Sequence, residues 1–189
     1  MASVVSICNR ALTQLGANLI TSLDDDSTEA KVMDAAFNDS LDAVLREAQP
    51  LCATFRASLA QSSTTPAFGW DYAYQIPTDP YCLSVMELDA STDKTTWTIE
   101  GRQLLTDEST AKIKFIGRMA DTSQLDTLLI TAVAMRLAAE TCYALTQNAS
   151  KEDRMWAKAD AALEKAMMAD GMEKGSEIIE ATLFSEARQ

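Results

Sequence analysis

Trp70-Asp71-Tyr72-Ala73-Tyr74-Gln75-Ile76-Pro77-Thr78-Asp79-Pro80-Tyr81-Cys82-Leu83 decides how this chain folds. Four aromatics and two prolines fall within it, in a sequence only 6% aromatic. From Trp70 to Ile76 aromatic or branched residues alternate with small or polar ones, which is the period of a strand with two different faces. Pro77 and Pro80 then end the ladder, since neither carries the N–H that a neighbouring strand needs. The spacing predicts an edge or hairpin strand. The segments before it read as helical, so it marks the opening of a β insert inside a helical protein.

Working outward, Val4, Ile7, Cys8, Ala11, Leu12 and Leu15 recur at helical spacing over 3–15, and Gly16 supplies a stop. Asp26 is the expected N-cap of a second helix, with Glu29 completing a capping box. Ala30, Met33, Phe37, Leu41, Val44, Leu45 and Ala48 form its apolar stripe, opposite Asp34, Asp39, Asp42 and Glu47. Pro50 opens a short helical turn, and 61–66 is a polar linker. In the insert, strands are expected over 72–76, 82–88, 96–100 and 112–116, with a turn at Ser91-Thr92-Asp93-Lys94. Lys112 and Lys114 alternate with Ile113 and Phe115, as on a half-solvated strand whose lysines blunt an exposed edge.

Helices return after Asp121-Thr122-Ser123. The band from Leu125 to Leu145 is wide enough to require burial on more than one side. Ser150 is the expected cap of a last helix carrying Met155, Trp156, Ala159, Ala162, Leu163, Ala166 and Met167. Gly171 and Gly175 are expected to loosen the chain before an isolated apolar segment, 178–184. The fold class expected is mainly α: a bundle of about four helices with an antiparallel β insert (α+β). Residues 1–65 and 120–171 would form the bundle, 66–119 the insert, and 172–189 a C-terminal docking tail.

The chain has 189 residues, 47% apolar, with a formal charge of −12. That surface repels nucleic-acid phosphates, which disfavours a sequence-reading DNA binder; it is compatible with a wall past which DNA slides, and equally with acidity that simply serves solubility. Histidine is absent, removing the usual neutral-pH base and the commonest transition-metal ligand. Cys8, Cys52, Cys82 and Cys142 are far apart and read as reduced thiols rather than a zinc or redox site. No signal segment is read at the N-terminus, and no apolar run reaches membrane-spanning length. The expectation is a soluble protein made in the cytoplasm.

The acidic run Asp24-Asp25-Asp26-Ser27-Thr28-Glu29 does not match an EF-hand loop, because the glycine and glutamate positions hold Glu29 and Ala35. Nucleophile elbow, P-loop and Gly-x-Gly-x-x-Gly motifs are absent. A carboxylate pair for glycoside hydrolysis needs only two residues, yet the acids fall mainly on polar helix faces and no pair stands out. Trp70, Tyr72, Tyr74 and Tyr81 form either a base-stacking platform or a structural joint between insert and helices. With no basic groove beside them, the joint is the better reading. Ile178, Ile179, Leu183 and Phe184 either fold back on the chain's own helices or dock onto a neighbouring subunit or another ring.

The ordered pattern Tyr72-x-Tyr74-Gln75-Ile76-Pro77-x-Asp79-(Pro80-Tyr81)-Cys82-Leu83-x-Val85 resembles the signature of the tail tubular protein A family, the head-to-tail adaptors of tailed bacteriophages. Asn9-Arg10-Ala11-Leu12 through Leu15-Gly16, Leu23 to Ser27, Leu45 to Pro50, Phe55-Arg56-Ala57, and Ile99-Glu100-Gly101-Arg102 through Asp107 are similar to the family in the same order. The likeness covers about residues 3–170. It departs where Leu51-Cys52 replaces the aromatic usual after the proline, and where Ser84 replaces a common basic residue. The resemblance implies a structural virion protein: an adaptor ring, commonly twelve subunits, between the portal protein and the tail nozzle or tube. DNA would pass through it without sequence-specific contact. It implies no catalysis, cofactor, metal or membrane, residence in the virion neck, and assembly in the host cytoplasm. Tyr74, Pro77, Asp79, Cys82, Leu83, Gly101 and Arg102 carry the structural motif, and the tail residues 178, 179, 183 and 184 would meet the portal. A stopper or tail-completion protein of a long-tailed phage, or a carboxylate-based peptidoglycan hydrolase of the tail, are the alternatives.

Overall fold

A computed structural model describes residues 2–89 and 96–173. Its elements run α1 (Val4–Leu15), α2 (Thr28–Ala48), a 3-10 turn (Leu51–Ala53), β1 (Thr54–Ser58), β2 (Tyr72–Gln75), β3 (Cys82–Asp89), β4 (Trp97–Glu100), β5 (Gln103–Thr106), β6 (Lys112–Gly117), a second 3-10 turn (Thr122–Gln124), α3 (Thr127–Thr146) and α4 (Ala149–Glu173). The fold is mixed α+β, with four helices and two three-stranded antiparallel sheets among the described residues, ordered β1-β6-β3 and β2-β5-β4.

Each helix end has a local cause. Ser3 caps α1 in a reciprocal exchange with Ser6, and Gly16 closes it in the left-handed region at φ 64°. The expected cap of α2 moves by one residue. Ser27, not Asp26, accepts from the Ala30 amide, while Glu29 accepts from the Asn18 side chain at 2.8 Å. At α4 the Asn148 side chain, not Ser150, accepts from the Lys151 amide at 3.0 Å. Gly171 does not loosen the chain, because α4 runs through it to Glu173.

The stripe of α2 is buried as its period requires, and α3 lies against α1, α2 and α4. Ten residues of α3 are buried, among them Val133, Leu137 and Cys142. Contrary to the expectation from the sequence, α3 is long and apolar enough to cross a membrane, and 56% of that window is buried within the protein. A helix apolar nearly all round is what a central packing element requires.

Two strands lie where none is expected. β1 falls within 1–65, a segment read as helix and linker, and β5 separates β4 from β6. The strand at Lys112–Gly117 is central, not an edge, since β1 and β3 flank it. The alternation stands: Ile113 and Phe115 are buried, whereas Lys112 is exposed. β2 is an edge strand as expected. Beyond β1 the chain crosses between sheets. Leu59 donates to Ala111, and Ser62 and Ala60 bond to Ala73 and Gln75 of β2. The turn expected at 91–94 and the tail from 174 onward lie outside the described residues.

Two apolar cores result. One joins the helices with Ile116 and Met119, and the other lies between the sheets around Tyr74, Leu104, Ile113 and Phe115. Phe55 packs against both.

Cys8, Cys82 and Cys142 are buried and Cys52 is exposed; all four are free thiols. Burial, then the nearby Asp34 charge, pushes the Cys8 thiol up to about 11. Its neutral form is thus retained in the folded protein where an unfolded thiol ionises. This contribution to stability is complete below pH 9.0 and is lost as pH climbs to about 11. Thiol labelling at pH 8 should modify Cys52 first, with Cys8 and Cys142 reacting only on unfolding. Denaturation midpoints should fall above pH 9, and Cys8→Ala should flatten that fall.

Candidate functional site

The stretch that opens the insert folds against the helices through a set of arginine contacts. Gly101 and Arg102 form the two-residue turn between β4 and β5, with φ of 52° and 66°. Two successive positive φ values match the twist of a type I′ hairpin, and glycine bears the first at no steric cost. The turn aims Arg102 at the chain where it enters β3. Its Nη1 donates to the Cys82 carbonyl at 3.1 Å and its Nη2 to the Pro77 carbonyl at 3.0 Å. Its guanidinium carbon lies 4.1 Å from the Tyr81 ring centroid. Arg118, just after β6, lies 5.0 Å from the same ring, and its amide donates to the Tyr81 carbonyl.

Arg118 then reaches across to α2, where its Nε lies 2.9 Å from both carboxylate oxygens of Asp42 and its Nη2 also donates. This bidentate bond holds the guanidinium all the more firmly in its charged form. Arg46 of α2 donates to the Leu83 carbonyl at 3.1 Å. Together these contacts orient the sheets on the helices. With Arg118 on it the Asp42 side chain is only 17% exposed, so Arg118→Ala takes a charge-assisted partner from a carboxylate at the foot of the sheets. That change should lower stability by about 1–2 kcal/mol. Arg118→Lys should recover only part of it, because an ammonium cannot reproduce the fork. A chemical melt of the three proteins decides the matter.

Of the motif residues, Pro77, Cys82, Gly101 and Arg102 meet at this joint, and Leu83 packs toward the helical core. Tyr74 stands apart, buried between the sheets with its hydroxyl donating to the Glu108 carbonyl at 2.8 Å. Asp79 is exposed and precedes a cis peptide to Pro80. Ile178, Ile179, Leu183 and Phe184 lie outside the described residues. The aromatic cluster divides: Tyr72 and Tyr74 sit 6.5 Å apart, while Tyr81 stacks with the arginines. Those arginines are committed to carbonyls and to Asp42. Asp42, Arg46 and Arg118 escape sequence reading, for each lies dozens of residues from its partner.

Elsewhere the chemistry is that of structure. Asp25 accepts from the Thr21 and Ser22 amides at 2.8 and 3.1 Å, and these bonds hold its carboxyl below the usual range. Among the described residues, no group of three or more histidine, cysteine or carboxylate side chains could hold a metal ion. Within α3, Arg136 binds Glu140 at 2.6 Å, and the pair meets the neighbouring helices: Arg136 stacks on Trp156 of α4, and Ser40 of α2 donates to Glu140. A concavity of about 460 Å³ lies over the outer face of the first sheet, lined by Arg56, Ser58, Glu87, Asp89, Lys112 and Lys114. Glu87 and Asp89 are exposed and lie 3.9 and 3.5 Å from Lys114 and Lys112. No protein-family model matches this chain, and neither does any curated protein.

Proposed function

We propose that this chain is a head-to-tail adaptor of a tailed bacteriophage: a structural ring that joins the portal to the tail nozzle or tube and forms part of the DNA channel. The observation that carries this reading is the ordered set of sequence patterns together with the meeting of Pro77, Cys82, Gly101 and Arg102 at one joint. Residues that look like a signature in the sequence thus share a physical task, fastening the β4–β5 turn to the start of β3, beside the Arg118–Asp42 and Arg46–Leu83 bonds that set the angle between sheets and helices. An adaptor must hold such an angle, because it presents one surface to the portal and another to the tail.

In this reading the four helices pack as a bundle that builds the ring body, and twelve copies match the portal. The acidic surface lets DNA pass without adhering. Phe68, 88% exposed, and Met168 and Met172 on α4, 68% and 85% exposed, give apolar anchors to neighbouring virion proteins. The protein is made in the host cytoplasm and resides in the virion neck, without enzymatic activity, cofactor or membrane. Negative-stain imaging of the pure protein mixed with the portal of the same phage tests this. The expected result is a new ring of density beneath the portal, with no clearing of cell walls by the protein alone. Portals that remain bare at saturating protein would reject the adaptor function.

A further inference from the structure

The outer face of the first sheet carries a charge order that one chain satisfies only in part. Its strands run β1-β6-β3, and the cross-strand register aligns Arg56, Lys114 and Glu87 in one row and Ser58, Lys112 and Asp89 in the next. Positive charge therefore lies toward the β1 side and negative charge along β3. The two lysines are neutralised by the carboxylates beside them. Arg56 is exposed and has no carboxylate partner among the described residues. Among those residues no strand pairs with the free side of β1 or of β3.

Both outer strands are antiparallel to β6, so they run parallel to each other. A second copy placed beside the first in the same orientation brings its β1 edge alongside β3, two strands running the same way. The row then reads Arg56, Lys114, Glu87, followed by the next copy's Arg56, and each Glu87 gains a cation. We infer that copies of this chain join head to tail along these two edges, β3 of one against β1 of the next, with Glu87 facing Arg56 across the seam. A heterologous contact of this kind closes into a ring of any size that the rotation allows. The irregularities of β3 limit where it acts. Register shifts occur between Cys82 and Ser84 and between Val85 and Glu87, whereas Glu87 to Asp89 pair regularly with β6. The carbonyls of Cys82 and Leu83 are already taken by Arg102 and Arg46. The seam is therefore short and polar. It holds weakly in free solution and strengthens when a larger assembly aligns the copies.

This inference supplies the lateral contact of the proposed ring and rests on that reading for the ring's place, not for the contact itself. Sedimentation of the full chain at low salt and high concentration tests it. Arg56→Glu alone, and Glu87→Arg alone, should each weaken self-association about tenfold per seam, since attraction becomes like-charge repulsion. The double variant should regain the parent's association. An equal mixture of the two single variants should do so as well, because every seam then pairs opposite charges. Added salt should weaken the parent and ease the repulsion in the single variants, so that the gap between them narrows. Circular dichroism shows whether each variant is folded, and the mixture tests the seam even if one variant is less stable. A parent that stays monomeric, single variants that associate as the parent does, or no recovery in both the double variant and the mixture would overturn the inference. Portal binding is read separately. Copies that associate through the seam but ignore portals would reject the adaptor function alone, whereas portals that gain a ring with the parent and with both single variants alike would reject the seam alone.

Discussion

Leu137→Ala should lower the unfolding free energy by about 2–5 kcal/mol, a large share of the roughly 5–15 kcal/mol that holds most domains. Leu137 is fully buried near the middle of α3, the helix that packs on the other three. Its truncation removes apolar burial and leaves a void, and surrounding Val133, Ala134 and Thr141 are too firmly packed in the same helix to refill it. Leu128→Ala on the same helix provides the control: that side chain is 40% exposed, so the change should cost less than about 1 kcal/mol. The loss should reach the sheets too. Phe115 and Ile116 are neighbours on β6 whose side chains enter different cores, and Phe55 touches both. Far-ultraviolet circular dichroism and tryptophan fluorescence should therefore fall together, with Trp156 packed on the helical core and Trp97 on that of the sheets. Two separated transitions would show that helices and sheets unfold independently.

The helices are legible because their burial repeats with the period that the sequence displays. Met33, Phe37, Leu41, Val44 and Leu45 form one stripe before and after folding. The two missed strands fail for different reasons. Thr54-Phe55-Arg56-Ala57-Ser58 alternates only weakly and follows a proline-led turn, so nothing in it resists a helical reading. In β5 Leu104, Leu105 and Thr106 are all buried, because the strand is central in its sheet and has cover on both faces; period two disappears there. Cap positions shift by one or two residues, since neighbouring serine, asparagine and aspartate side chains compete for the same amides. The joint was half visible: the Pro77–Leu83 stretch and Gly101-Arg102 carry turn chemistry that sequence displays. The Arg118–Asp42 bond spans 76 residues and leaves no local trace.

Gly117→Ala should destabilise the protein by about 1–3 kcal/mol, although the backbone there is ordinary for any residue. The cause is space. A Cβ on Gly117 would lie 2.8 and 2.9 Å from two carbons of the Phe55 ring and 3.1 Å from the Cβ of Pro80. Neither neighbour yields cheaply. The Phe55 ring packs against Phe115 at 5.9 Å and against both cores, and Pro80 is rigid. Gly171→Ala makes the contrast, since a Cβ there meets nothing within 4 Å inside a helix; alanine should stabilise by about 0.5–1 kcal/mol. Gly117 also sets the position of Arg118, the next residue. A displaced end of β6 shifts that guanidinium away from Asp42 and the Tyr81 ring. Gly117→Ala combined with Arg118→Ala should therefore cost less than the two changes summed, by about 0.5 kcal/mol or more, because the first already spoils what the second removes. Strict additivity would mean that the crowding stops at Phe55. Full stability of Gly117→Ala would mean that the ring turns aside freely, and that the glycine has no part in holding the sheets to the helices.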